Sequence, residues 1–231
     1  MKKAVIFDMF ETLITHYESP LYFGARMSAD MGIPEKKFRE IWDASDYDRS
    51  IGKLTLEAVI EQILRANDRY SAELVKELAG KRIAAKIECF NHLHPEILPM
   101  FEELKKQGYR IGLISNCFSE ETTIIRDSVL WKYFDAPYLS YEQGLAKPEE
   151  EIFRRCVAEL GVMPEECLYV GDGGSRELET AEKLGMMAVQ AVWYLKEGTT
   201  QPTKRKPEFL QAESPMEVLR YLEELPGEPG Q

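Results

Sequence analysis

Apolar and polar positions follow two rhythms along this chain, and the change of rhythm divides it. Residues 4–7, Ala-Val-Ile-Phe, form an unbroken apolar run that stops at Asp8. A run this short, closed by a charge, predicts a strand buried on both faces. From Ser19 to Asn91 the apolar positions recur every three to four residues, the spacing of one helix face. Leu21, Met27 and Met31 mark a first stretch, and Phe38, Ile41 and Trp42 a second. Leu56, Val59, Ile60, Ile63 and Leu64 mark a third, and Leu74, Val75, Leu78 and Ile83 a fourth. No strand pattern interrupts them. Residues 17–94 therefore read as an all-helical module inserted after the first strand.

From Pro95 onward helix and strand patterns alternate. EILPMFEELKKQG predicts a helix ending at Gly108, and YRIGLIS a strand. SEETTIIRDSVL predicts a helix opened by Ser119, with glutamates in its first turn, where the helix dipole favours them. APYLS, CLYVG, MAVQAVW and EFLQA are further strands; PEEEIFRRCVAELG, SRELETAEKLG and SPMEVLRYLEEL are helices between or after them. Alternation of this kind predicts an α/β fold, a Rossmann-like doubly wound parallel sheet with helices on both faces. That core is expected over 1–16 and 95–231. KEGTTQPTKRKP reads as a polar surface loop, and the tail 226–231, PGEPGQ, as disordered.

Composition narrows the partners. The 231 residues are 44% hydrophobic and carry a formal net charge of -11. An acidic surface of this kind argues against a nucleic-acid partner. No apolar run reaches the roughly 18 residues that span a bilayer, so no membrane is expected. The first apolar run meets Asp8 too soon to be a secretory signal. The four cysteines, Cys89, Cys117, Cys156 and Cys167, have no zinc-like spacing and read as buried, reduced thiols. A cytoplasmic monomer or small homo-oligomer is the expectation.

The candidate chemistry lies at the strand ends, where open parallel sheets place their ligands. Asp8, Ser115, Asn116 and Asp172 all end predicted strands, and Lys147 follows a weaker one. A carboxylate such as Asp8 can attack phosphorus and split a hard hydrolysis into two steps. Asp8 and Asp172 would repel one another without a hard cation, and Mg²⁺ suits oxygen ligands. Ser115 can donate to a phosphoryl oxygen, and Lys147 can offset charge on nucleophile and phosphate together. Any one of these residues alone could be a turn, a cap or a surface charge. Their co-occurrence in four segments points to phosphoryl chemistry.

The four segments resemble, in order, the motifs of the haloacid dehalogenase-like hydrolase superfamily. DMFETL is similar to its first motif, ISN to its second, AKPEEEIF to its third and VGDGGSRELETA to its fourth. The helical insert resembles the family's helical cap. The resemblance implies that Asp8 is nucleophile and metal ligand, and that the Phe10 backbone carbonyl and Asp172 are further Mg²⁺ ligands. It implies that Ser115 and Lys147 hold the phosphoryl group of a small phosphorylated substrate, with Asn116 beside it. Glu177 stands where a second acid is common, to hold either a metal-bound water or Lys147. In the cap, DYDRSIGKLT resembles the segment that faces the site in relatives, which makes Arg49, Lys53 and Trp42 candidates for substrate recognition.

Two positions depart from the family's phosphatases. Phe10 stands where they carry a second aspartate, the general acid and base, worth about 10²–10⁴-fold in rate. Glu11 stands where glycine is usual, and is one candidate replacement for that acid. Haloacid dehalogenases of the family carry an aromatic residue in place of the second aspartate, but lack the Gly-Asp pair seen here as Gly171-Asp172. Phosphonate hydrolases use a cap lysine, a place Lys53 could take. A Mg²⁺-dependent phosphatase acting through an aspartyl phosphate on Asp8 is the preferred expectation. A 2-haloacid dehalogenase and a non-catalytic phosphate-ligand-binding protein are the alternatives.

Overall fold

The computed structural model describes residues 1–196 and 201–223. The expected tail at 226–231 and part of the expected polar loop lie outside the described residues. The short apolar runs pair into one sheet of six parallel strands. They are β1 (Ala4–Phe7), β2 (Arg110–Ser115), β3 (Ala136–Leu139), β4 (Cys167–Gly171), β5 (Met187–Ala191) and β6 (Leu210–Ala212). Their order is β3-β2-β1-β4-β5-β6. The chain builds outward on one side of β1, then crosses to build the other, which makes β1 the switch point. Phe7 pairs with Leu113 of β2 and with Val170 of β4. Asp8 and Asp172 therefore leave the sheet as neighbours at its C-terminal edge.

The insert after β1 contains five helices: α1 (Ala25–Met31), α2 (Glu35–Ala44), α3 (Asp46–Ser50), α4 (Leu56–Ala66) and α5 (Ala72–Cys89). Their apolar stripes meet one another in a separate core of Met27, Met31, Phe38, Trp42, Ile60, Leu64 and Leu78. The Thr55 and Ser71 side chains cap α4 and α5 by accepting from Ala58 N and Leu74 N. The apolar periodicity leaves α3 unmarked, although DYDRSIGKLT reads as a helix-turn and α3 forms there, and it starts the first helix too early. Leu21 lies before α1 and is exposed, because Pro20 and the left-handed Gly24 (φ 52°) delay the helix to Ala25.

The remaining helices flank the sheet: α6 (Ile97–Lys106), α7 (Ser119–Asp127), α8 (Ser140–Gln143), α9 (Glu150–Leu160), α10 (Glu177–Lys183) and α11 (Arg220–Glu223). Alternation along β1 assigns its faces. Val5 and Phe7 pack with Met100 and Phe101 of α6 and Ile125 of α7. Ala4 and Ile6 pack with Phe153 of α9 and Leu178 of α10. Among the described residues no helix is long and apolar enough to cross a membrane.

Ser119 does not cap α7 as its position suggests. Phe118 is the flanking residue, and Glu121 reaches back to accept from Phe118 N at 2.9 Å. The Ser119 hydroxyl instead accepts from Leu56 N, at the start of α4 in the helical insert. Two buried ion pairs reinforce this docking, Arg82 Nε to Glu120 (2.7 Å) and Lys86 Nζ to Glu121 (2.5 Å). The glutamates in the first turn of α7 thus hold the insert against the sheet domain as well as answering the helix dipole.

Candidate active site

Asp8 sits one residue past the central strand and is buried. Its Oδ1 accepts a 2.5 Å hydrogen bond from Lys147 Nζ, while Oδ2 has a long contact from Thr12 Oγ1 at 3.4 Å. Lys147 is fixed through its backbone by Asn116, which accepts from Lys147 N (2.8 Å) and donates to Lys147 O (3.0 Å). The same ammonium pairs with Glu177, the first residue of α10. Glu177 is itself held by Tyr169 Oη (3.0 Å) and Gly173 N (3.2 Å). Gly171 is required beneath it, since a Cβ there would lie 2.1 Å from Glu177 Oε1. Asp172 accepts from Gly174 N (2.8 Å) and Thr203 Oγ1 (2.7 Å).

Three buried or half-buried carboxylates now face one buried ammonium. Burial, with Asp172 nearby, pushes Asp8 up to about 6 against the pull of Lys147. Burial and the Asp8 charge push Glu177 up to about 8, again against Lys147. Burial alone would lower Lys147, but Asp8 and Glu177 outweigh it and raise it. Like charges at this separation resist joint ionisation unless something else answers them. Asp8, Asp172 and Glu177 each offer an oxygen within 4.8 Å of the others. An all-oxygen donor set with surplus negative charge fits a hard divalent cation. Glu177 has both oxygens committed to Lys147, Tyr169 and Gly173, and Asp172 accepts one bond on each of its oxygens, so Asp8 Oδ2, with its long contact to Thr12, is the freest donor.

Ser115 ends β2 with its hydroxyl fully buried. Among the described residues, Ser115 Oγ and Arg49 Nη1 are the buried side-chain polar atoms without a hydrogen-bond partner. Leaving such a group unpaired costs about 1–3 kcal/mol, which a ligand oxygen would recover. The cavity over this cluster has a volume of about 590 Å³, with Asp8, Phe10, Lys147, Asp172 and Glu177 at its floor and Asn116, Ser175, Thr203, Lys204 and Lys206 around them. A cavity of about 610 Å³ between α5 and α7 is slightly larger, but its lining holds carboxylates without a lysine or arginine.

The two departures meet at one turn. Glu11 has φ 61°, the left-handed backbone that glycine adopts without penalty. Its carboxylate accepts from Thr15 Oγ1 (2.6 Å) and His16 N (2.9 Å) and lies 3.0 Å from His16 Nδ1. These bonds hold the strained turn and commit both Glu11 carboxylate oxygens to Thr15 and His16, although the residue also lines the Asp8 cavity. Phe10 lines the cavity and stacks on His16, with ring centroids 4.8 Å apart. His16 Nε2 lies 2.7 Å from Lys86 Nζ, which assigns the ring proton to Nδ1, facing Glu11.

Burial, then Lys86, lowers the His16 pKa below its ordinary value against the Glu11 hydrogen bond. The unfolded chain therefore takes up a proton first as pH falls through about 6.5, and folding stability is lost on acidification. Urea midpoints between about pH 7 and pH 5 should fall more steeply for the natural chain than for His16→Gln. Parallel curves would remove His16 as a source of acid sensitivity.

The cap candidates lie elsewhere. Lys53 has a side chain 65% exposed and a loose ion pair with Asp48 at 3.6 Å. Arg49 is 1% exposed, sandwiched between the rings of Trp42 (4.0 Å) and Phe118 (4.2 Å). Neither lines the Asp8 cavity. Trp42 lines a third cavity, of about 280 Å³, between the insert and the sheet domain, together with His16, Arg82 and Lys86. The sequence pattern missed Thr12, Tyr169, Gln190 and Thr203. Tyr169 reads there as one more apolar strand residue, and Thr203 as part of a polar loop.

Residues 2–185 match the haloacid dehalogenase-like hydrolase family. Glyceraldehyde 3-phosphate phosphatase of Methanopyrus kandleri is 25% identical over 97% of this chain and 99% of its own. Among solved structures, a 2-haloacid dehalogenase from Pseudomonas syringae pv. Tomato superposes with a TM-score of 0.68 at 22% identity, covering 96% of this chain and 99% of that one. A family enzyme from Bacteroides thetaiotaomicron, in complex with magnesium and inorganic phosphate, gives a TM-score of 0.60 at 19% identity, over 87% of this chain and 98% of that one.

Proposed function

Since the chain belongs to the haloacid dehalogenase-like hydrolases, we propose that it is a Mg²⁺-dependent phosphatase of small phosphomonoesters, with residues 17–94 as its cap. The observation that carries this is the cluster of Asp8, Asp172 and Glu177 around a single buried lysine. Its charge surplus calls for a cation, which a metal-independent dehalogenase does not need. The full-length likeness to a relative named as a glyceraldehyde 3-phosphate phosphatase supports a small phosphorylated substrate.

Asp8, the Phe10 carbonyl and Asp172 would hold the metal, which when bound neutralises and orients a phosphoryl group. Asp8 attacks phosphorus, the ester P–O bond breaks, and an aspartyl phosphate forms that water hydrolyses. Lys147, positioned by Asn116 and Glu177, screens the nucleophile and the incoming phosphate. Ser115 Oγ donates to a phosphoryl oxygen and so gains the partner it lacks. Phe10 carries no proton, and Glu11 is spent on its own turn. Leaving groups that depart without a proton are therefore favoured.

A panel of phosphate esters, with and without Mg²⁺, tests this. Turnover should fall about a hundredfold or more on chelation. Aryl phosphates should outpace alkyl phosphates by about 10²-fold or more, the share a general acid would otherwise supply. Phe10 favours one second reading, a 2-haloacid dehalogenase. Halide release from a chloro-acid that survives chelation would establish that reading and remove the first. Binding of phosphate without turnover of any ester would leave a ligand-binding protein.

A further inference from the structure

The Asp8 cavity has a basic mouth that the phosphoryl reading leaves unused. Lys204 and Lys206 line it from the segment after β5. Lys206 is answered by Glu179 at 2.5 Å. Lys204 is exposed, and among the described residues it has no ion-pair partner. In a chain of net charge -11, a lysine at the mouth of this cavity with no ion-pair partner among the described residues is a candidate for an anion outside the protein.

The segment is fastened to the site. Gln190 of β5 is fully buried. Its Nε2 donates to both Asp172 O and Lys204 O at 2.8 Å, and its Oε1 accepts from Lys206 N at 2.8 Å. Thr203 Oγ1 donates to Asp172 Oδ2 at 2.7 Å. One buried glutamine and one hydroxyl thus tie the lysine-bearing backbone to the turn that carries a candidate metal ligand. A side chain on a backbone held this way keeps its place relative to whatever occupies the floor.

We propose that Lys204 is a specificity residue for a second anionic group on the substrate, so that the preferred substrates are phosphomonoesters that also carry a carboxylate or a further phosphate. The inference rests on the phosphatase reading of the Asp8 floor and adds the substrate class to it. Gln190 is a positioning residue for Lys204.

Two non-hydrolysable probes separate this from a general effect of charge. Methylphosphonate presents one anionic group, and phosphonoacetate adds a carboxylate. Calorimetric titration of the full chain with Mg²⁺ should show phosphonoacetate binding more tightly. In Lys204→Ala the ratio of the two affinities should fall about fivefold, the size of one partly exposed charge contact. It should fall further in Lys204→Glu, be retained in Lys204→Arg, and shrink with added salt. Equal losses for both probes would overturn the proposal, because Lys204 would then only offset the negative floor. An unchanged ratio would overturn it as well. If neither probe binds the natural chain, the phosphoryl reading itself falls, and this inference with it.

Discussion

Asp8→Asn is expected to abolish hydrolysis of every phosphate ester, by about 10⁴-fold or more. The amide is isosteric but is no nucleophile toward phosphorus at neutral pH, so the covalent route closes. The fold should tolerate the change. Asp8 is a buried carboxyl already pushed up to about 6 by burial, and removing its charge relieves the excess of acid over base in the cluster. The metal-free variant should melt no lower than the natural chain, while turnover disappears. That pairing separates a catalytic loss from an unfolded protein. An Asp8→Asn protein with full activity would sink the mechanism whatever the substrate.

The second large effect is on stability. In Lys147→Met, Asp8 and Glu177 lose the one ammonium between them. Breaking a buried ion pair by removing one partner costs about 3–5 kcal/mol, since the remaining charge stays buried and unanswered. For a chain of this size that is about 10 °C in melting temperature. The loss should be greatest in metal-free buffer above about pH 8, where both carboxyls are ionised, and smaller at low pH, where protonation substitutes for the lysine. Adding Glu177→Gln to Lys147→Met should restore part of the loss. If the single variant melts with the natural chain at high pH, the electrostatic account of the cluster is wrong. Turnover should fall in the single variant even where it stays folded.

Much of the architecture was legible because it rests on short-range pattern. AVIF, RIGLIS and CLYVG are strands for the same reason they read as strands: closely spaced apolar residues between charges or turns. The ends of AVIF and CLYVG bring Asp8 and Asp172 together as the strand-end rule requires, and Lys147 reaches them from the loop after α8. Legibility failed where a side chain answers to distant partners. Ser119 looks like a cap but serves Leu56. Asn116 looks like a ligand contact but spends its amide on the Lys147 backbone. Arg49 looks like a cap cation free for substrate, yet two aromatic rings enclose it. Glu177 makes the contact with Lys147, one of the two roles open to it. No periodicity carries that information, because most of these partners lie dozens of residues away.

The position of β1 has a consequence for the order in which the chain can assemble. Its first neighbour in the sheet begins at Arg110, and its second at Cys167. A nascent chain of the first hundred residues holds Asp8 and the whole helical insert, whose core is made of its own residues. It holds no partner strand for β1 and none of Lys147, Asp172 or Glu177. Long-range pairing of this kind costs loop-closure entropy before any contact repays it. The insert can gather itself during synthesis, whereas the acidic cluster comes into being only when β4 docks. The repulsion among its carboxylates is therefore met late, by a sheet already half built on the other side of β1.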